Sequence, residues 1–267
     1  MEISTREIFE ALVGITFTVL MWWVTFSIFR RYRDTKYLPA LLVASGFFAL
    51  GFIFAPILTM GRAIMQEWPE IAGLVGPGAA TWYRISSIIG GNAFVIGLLL
   101  FAIFTRQVFR PGSAASLFYV IFVGIFLMGS SDLVFMFEDK PIMITWAARL
   151  EIRIVYVVGN TLAFGWLAYE SLSRWIVYRK RLEEEKELDP LVVNRFLLWG
   201  LAGISYVIAA FATLPFVPYE AIQPFFPTLV LNICILAFAI LSYLSWSPPE
   251  WFKQVIRKGE PAQAGGS

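Results

Sequence analysis

Arg149, Arg153, Tyr156 and Asn160 stand at i, i+4, i+7 and i+11 in the stretch ITWAARLEIRIVYVVGN, residues 144–160. That spacing puts all four on one stripe of an α-helix, with Glu151 pointing elsewhere. Two guanidiniums one turn apart can fork a carboxylate or a phosphate, and the phenol and amide extend the same face. Arg84, with Ser87 and Gly91 on its own stripe, and Asp132, beside Ser130 and Ser131, can complete such a site, Asp132 balancing part of the charge. Asn92 and Asn232 add two further amides in apolar surroundings. Structural uses compete with binding: Asp132 can pair with Arg84, Arg149 or Arg153, and Asn92, Asn160 and Asn232 can hydrogen-bond between helices.

Catalytic chemistry has little to work with. The chain has no histidine and a single cysteine, Cys234. Bis-histidine haem, His-ligated zinc, Ser-His-Asp hydrolysis, thiolate clusters and intrachain disulfides are therefore excluded. Cys234 lies among Ile and Leu as a small packing residue. Asp132 has no evident carboxylate partner or metal set. We expect neither an enzyme nor a bound metal or cofactor.

The elements that position these residues follow from composition. With 58% hydrophobic residues, 15% charged residues and a mean hydropathy of +0.71, the chain reads as an integral membrane protein. Stretches of roughly 20 apolar residues, enough to cross about 30 Å of hydrocarbon as helix, recur seven times. They run about 8–29, 38–60, 82–105, 115–137, a fifth within 142–178, then 193–217 and 224–246. Continuous apolarity without period-2 alternation argues for helices over a barrel. The expected fold is an all-α bundle of seven membrane-spanning helices.

Fifteen of the 21 Lys and Arg residues follow helices 1, 3 and 7 or surround the link from helix 5 to helix 6. Retention of positive charge on the cytoplasmic side then places the N-terminus outside and the C-terminus inside, as in a multi-pass prokaryotic cell-membrane protein. The opening MEISTREIFE lacks the basic leader of a cleaved signal peptide, so helix 1 is expected to be retained. Hydrocarbon beginning near Met143 would bury Arg149 and Arg153 roughly 9 and 15 Å deep. Hydrocarbon spanning about 154–172, which suits an inner aromatic belt at Trp175 and Tyr178, lets both arginines snorkel at the outer surface, and we favour it. Either placement leaves Arg84, Asp132 and the stripe lining an outward-facing polar vestibule, while the inner halves of the helices read as apolar.

Beyond residues 1–246, Ser247, Pro248 and Glu250 form a capping-box pattern. The helix it starts, 247–258, carries Trp251, Phe252, Val255 and Ile256 against Lys253, Arg257 and Lys258, the pattern of a helix lying in the inner interface. Residues 259–267 read as a flexible tail. The alternating charges of YRKRLEEEKELDP suggest that helix 5 continues past the membrane before Pro190 breaks it. Asn92 and Asn232 open similar segments, NAFVIGLLLFAIF and NICILAFAILSYL, which hints at two three-helix units joined by helix 4, an arrangement similar to some small sugar and ion permeases.

Seven helices with the N-terminus outside are similar to the layout of rhodopsins, but all six lysines lie outside the spans, so no amine is placed for a retinal Schiff base. The layout also resembles the seven-helix sensor modules of prokaryotic signalling proteins, in architecture and without a shared motif. That resemblance implies a receptor that reads an outer-side ligand, anionic or lipid, and signals through a separate cytoplasmic or membrane partner. A small transporter or channel and a non-catalytic subunit of a membrane complex are the competing classes. Membrane lipids are expected partners and nucleic acid is not.

Overall fold

The computed structural model describes residues 5–54, 77–136, 150–184, 189–215 and 225–258. Among the described residues there is no strand. Helix α1 is Thr5–Thr35; α2 begins as Leu38–Phe48 and continues as a π-helical run, Ala49–Phe54; α3 is Pro77–Phe109 and α4 is Ala114–Met136. Helix α5 is one continuous rod in three parts: Leu150–Asn160, a π-helical segment Thr161–Gly165, and Trp166–Glu184. Then follow α6, Pro190–Ala212, α7, Phe225–Trp246, and the short α8, Glu250–Lys258.

Local chemistry sets the joints. Lys36, with φ 54°, takes the left-handed position after α1, its N–H donating to the Tyr32 carbonyl at 2.7 Å, and Pro39 opens α2 where its missing N–H costs nothing. Ser113 starts α4 by accepting the Ser116 N–H on its hydroxyl at 3.3 Å. Asp189 does the same for α6, accepting from Leu191 N–H at 2.9 Å, with Pro190 at the first turn.

The helices close into a ring in chain order: α1 packs on α2, α2 on α3, α3 on α4, α4 on α5, α5 on α6, α6 on α7, and α7 back on α1. α3 also reaches across to α5, and α8 rests on α6. Among the described residues, four segments are long and apolar enough to cross a membrane: Leu12–Thr35, Ile89–Phe109, Pro190–Ala212 and Phe225–Trp246. The shorter apolar stretches Leu38–Phe54 and Ala114–Gly129 lie in α2 and α4. Apolar side chains face outward, Phe118 at 72% exposure and Ile125 at 69% among them. In water such surface would be a liability, whereas against hydrocarbon it carries no penalty. The architecture is thus all-helical and compatible with a membrane-embedded protein.

Aromatic rings fill the centre. Phe47 of α2, Phe101 of α3, Phe164 of α5 and Phe238 of α7 are fully buried, and Trp199 and Tyr206 of α6 nearly so. Ring centroids lie 4.8 Å apart for Phe101 and Phe164, 4.4 Å for Phe164 and Tyr206, and 4.7 Å for Tyr206 and Phe238, all in tilted arrangements. Such offset geometries suit the ring quadrupoles. Five helices therefore meet on one cluster.

The C-terminal segment departs from the expected capping box. Ser247 hydrogen-bonds Ser27 of α1 at 2.5 Å, and the first turn of α8 closes on the Pro249 carbonyl, which accepts from Phe252 and Lys253. The helix starts two residues later than a cap at Ser247 requires. Glu250 instead pairs with Lys253 at 2.6 Å, which holds its carboxyl below the usual range. The continuation of α5 runs as helix to Glu184; the rest of the charged run, 185–188, lies outside the described residues, as do residues 259–267. Cys234 is half-buried beside Ala209 and Leu231.

Candidate functional site: a polar stripe on an aromatic plug

The stripe on α5 begins at the end of the bundle opposite its basic end. There the Arg153 guanidinium donates to the Leu214 carbonyl at 2.8 Å, in the turn that terminates α6. A cation at a helix C-terminus meets carbonyls that have no intrahelical donor. Because α6 ends at Ala212, this contact puts Arg153 level with the end of a membrane-length helix.

One turn inward, Tyr156 stacks on Phe94 of α3, centroids 5.1 Å apart, and its phenol hydrogen-bonds that of Tyr206 on α6. Asn160 follows, fully buried. The expectation that it bonds across helices fails: its side-chain N–H donates to the Tyr156 carbonyl of its own helix at 2.7 Å, and its amide oxygen has no hydrogen-bond partner. Its neighbour Gly159 brings α5 so close to α3 and α4 that a Cβ there would meet Leu127 at 2.8 Å and Leu98 at 3.3 Å.

Directly below, the π-helical turn begins. Its widened ladder leaves the Leu162 carbonyl to accept the Tyr119 hydroxyl of α4 at 2.8 Å, and Thr161 donates back to Val157. Phe164 in this turn is the plug residue that touches Phe101, Tyr206 and Phe238. The stripe thus runs from Arg153 through a pair of phenols to an orphaned amide oxygen, and stops on the aromatic cluster.

The other expected site residues are placed in part. Arg84 lies on α3 and Asp132 on α4, each toward the same end as Arg153. Arg149 lies outside the described residues. Asn92 is exposed on α3 and Asn232 half-buried on α7, so two asparagines matched by the internal similarity have different surroundings.

Sequence reasoning missed Glu170. Only about 5% of its side chain is exposed, and it accepts from Arg110 Nε at 2.9 Å, with Trp166 Nε1 at 3.4 Å. Arg174, one turn further, donates to the Phe109 carbonyl at the end of α3 at 3.2 Å. The signal was present, since Glu170 is the one charged residue within 154–172. Among the described residues no group of His, Cys, Asp and Glu could hold a metal ion. No protein-family model matches the chain, and no curated protein or solved structure matches it.

Proposed function

We propose that this chain is a seven-span membrane sensor of receptor type, with its N-terminus outside, that binds a small anionic or lipid ligand at the outer end of α5 and passes the change to a partner at the basic, cytoplasmic end. One observation carries the reading: the polar stripe of α5 ends on an aromatic cluster shared by five helices. A ligand that draws on Arg153, Tyr156 or Asn160 pulls directly on a packed cluster, while a solute in transit would meet a filled centre. The π-helical turn between them is a point where α5 can change register, and the same rod continues to Glu184. Arg84, Arg149 and Asp132 complete the proposed outer site.

Topology is tested by cysteine labelling of intact cells, with Cys234 replaced by Ala. A cysteine at Gly76 is expected to react with an impermeant reagent and one at Glu184 to be spared; the reverse pattern overturns the orientation.

Binding is tested by titrating the protein in nanodiscs with acetate, succinate and citrate while following the unfolding temperature and the reactivity of a cysteine at Glu184. Arg153→Gln is expected to weaken the effective anion about tenfold, the loss of one charge-assisted fork. Asp132→Asn in that background is expected to restore stability if the two residues form a pair. Anion flux through proteoliposomes, or no effect of any carboxylate, counts against the sensor reading.

A further inference from the structure

We propose a second site, at the basic end of the bundle, that binds a phosphate-bearing anion through Arg106, Arg110 and Arg174. Two i, i+4 pairs meet there, Arg106 in the last turn of α3 with Arg110 just past its end, and Glu170 with Arg174 on α5, joined by the 2.9 Å contact between Arg110 and Glu170. Arg174 lies over the end of α3 through its bond to the Phe109 carbonyl. Ser116 holds the adjoining turn by donating to the carbonyls of Arg110 at 3.0 Å and Ser113 at 2.8 Å.

The charges do not balance. Three guanidiniums at this end stand against one carboxylate, which only Arg110 of the three contacts, and the C-terminus of α3, worth about half an elementary negative charge. Arg106 is half-buried, and its Nε is shielded from solvent without a hydrogen-bond partner. A shielded guanidinium nitrogen with no acceptor is costly unless an anion completes it. Half of the Arg110 side chain remains exposed, so the cluster is open to a ligand. A tetrahedral phosphate offers several oxygens to donors converging from two helices, which a single carboxylate matches less well.

Apolar surface flanks the cluster: Leu117 and Phe118 on the first turns of α4, and Ile176 and Val177 on α5, are all exposed. A phospholipid can place its headgroup on the arginines and its chains along these residues. A free phosphate would use the arginines alone. The site is independent of the outer one and of the direction in which the chain crosses the membrane.

Native mass spectrometry of the full chain in detergent, with phosphatidylglycerol or phosphatidylcholine added, tests the lipid source. Phosphatidylglycerol is expected to saturate at one tight adduct per chain and phosphatidylcholine to give none. Arg106→Gln is expected to lower that affinity about tenfold, and Arg179→Gln, an exposed arginine stacked 5.3 Å from the Trp175 ring, to change it less than about twofold. Should Arg106→Gln fail to fold, Arg106→Lys keeps the charge, removes the fork and is expected to weaken binding as well. In a second arm, protein in phosphatidylcholine nanodiscs is titrated with sodium phosphate against sodium chloride at equal ionic strength. A rise in unfolding temperature seen only here, and lost in Arg106→Gln, assigns the site to soluble phosphate. If neither probe binds beyond its control, or Arg179→Gln costs as much as Arg106→Gln, the proposal is overturned.

Discussion

Arg110→Gln is expected to destabilise the protein by about 3 kcal/mol and Glu170→Gln by only about 1 kcal/mol, although the two side chains form one ion pair. The asymmetry comes from burial. Glu170 exposes 5% of its side chain and Arg110 exposes 51%. Without Arg110 a carboxylate is left shielded with only the long 3.4 Å contact from Trp166, and its desolvation is not offset. Without Glu170 the arginine can turn into solvent or the headgroup layer, and a neutral amide of the same shape fills the space. The double variant is expected to recover most of the Arg110→Gln loss, because the isolated buried charge has gone. Equilibrium unfolding of all three variants in one detergent measures this. Equal costs, or a larger cost for Glu170→Gln, would show that the pair does not depend on the depth of its acid.

This pair also marks where sequence reasoning stopped. Helix positions were legible because long apolar runs have few alternatives: 193–217 was expected where α6 is Pro190–Ala212, and 224–246 where α7 is Phe225–Trp246. The stripe through Arg153, Tyr156 and Asn160 was legible for the same reason, since helical periodicity fixes which residues share a face. What failed was any statement about a partner on another helix. Arg110 counted only as a topology charge, and nothing in its neighbourhood names a partner 60 residues away. Ser247 matched a local capping signature, but the helix starts later and Ser247 bonds Ser27, 220 residues distant. Asn160 was expected to reach another helix, but its amide donates to the Tyr156 carbonyl of its own. Gly200 and Gly203 carry the tight contact between α5 and α6, which no sequence signal singled out. Composition says that helices pack closely; only the ring order says which faces meet.

Gly203→Ala is expected to be the most damaging methyl addition of three, costing about 3 kcal/mol, at the upper end for overpacking. A Cβ there would lie 2.7 Å from the Phe164 carbonyl oxygen and 3.0 Å from the Ala168 Cβ, so α5 and α6 must separate as rods. The Phe164 carbonyl belongs to the π-helical turn, so the displacement falls where the stripe meets the aromatic cluster, and it strains the contact between Tyr156 and Tyr206. Gly200→Ala is expected to cost less, about 1–2 kcal/mol, although its Cβ would lie 2.5 Å from Leu172. The obstacle there is a leucine side chain, half-buried and able to change rotamer, rather than backbone. Gly14→Ala in α1 meets nothing within 4 Å and is expected to be neutral, or to gain up to about 1 kcal/mol from the lower backbone freedom of alanine. Unfolding midpoints of the three variants, measured side by side, test the order. If Gly203→Ala behaves like Gly14→Ala, α5 and α6 do not meet along this face, and the path from the polar stripe through the π-helical turn to α6 loses its physical basis.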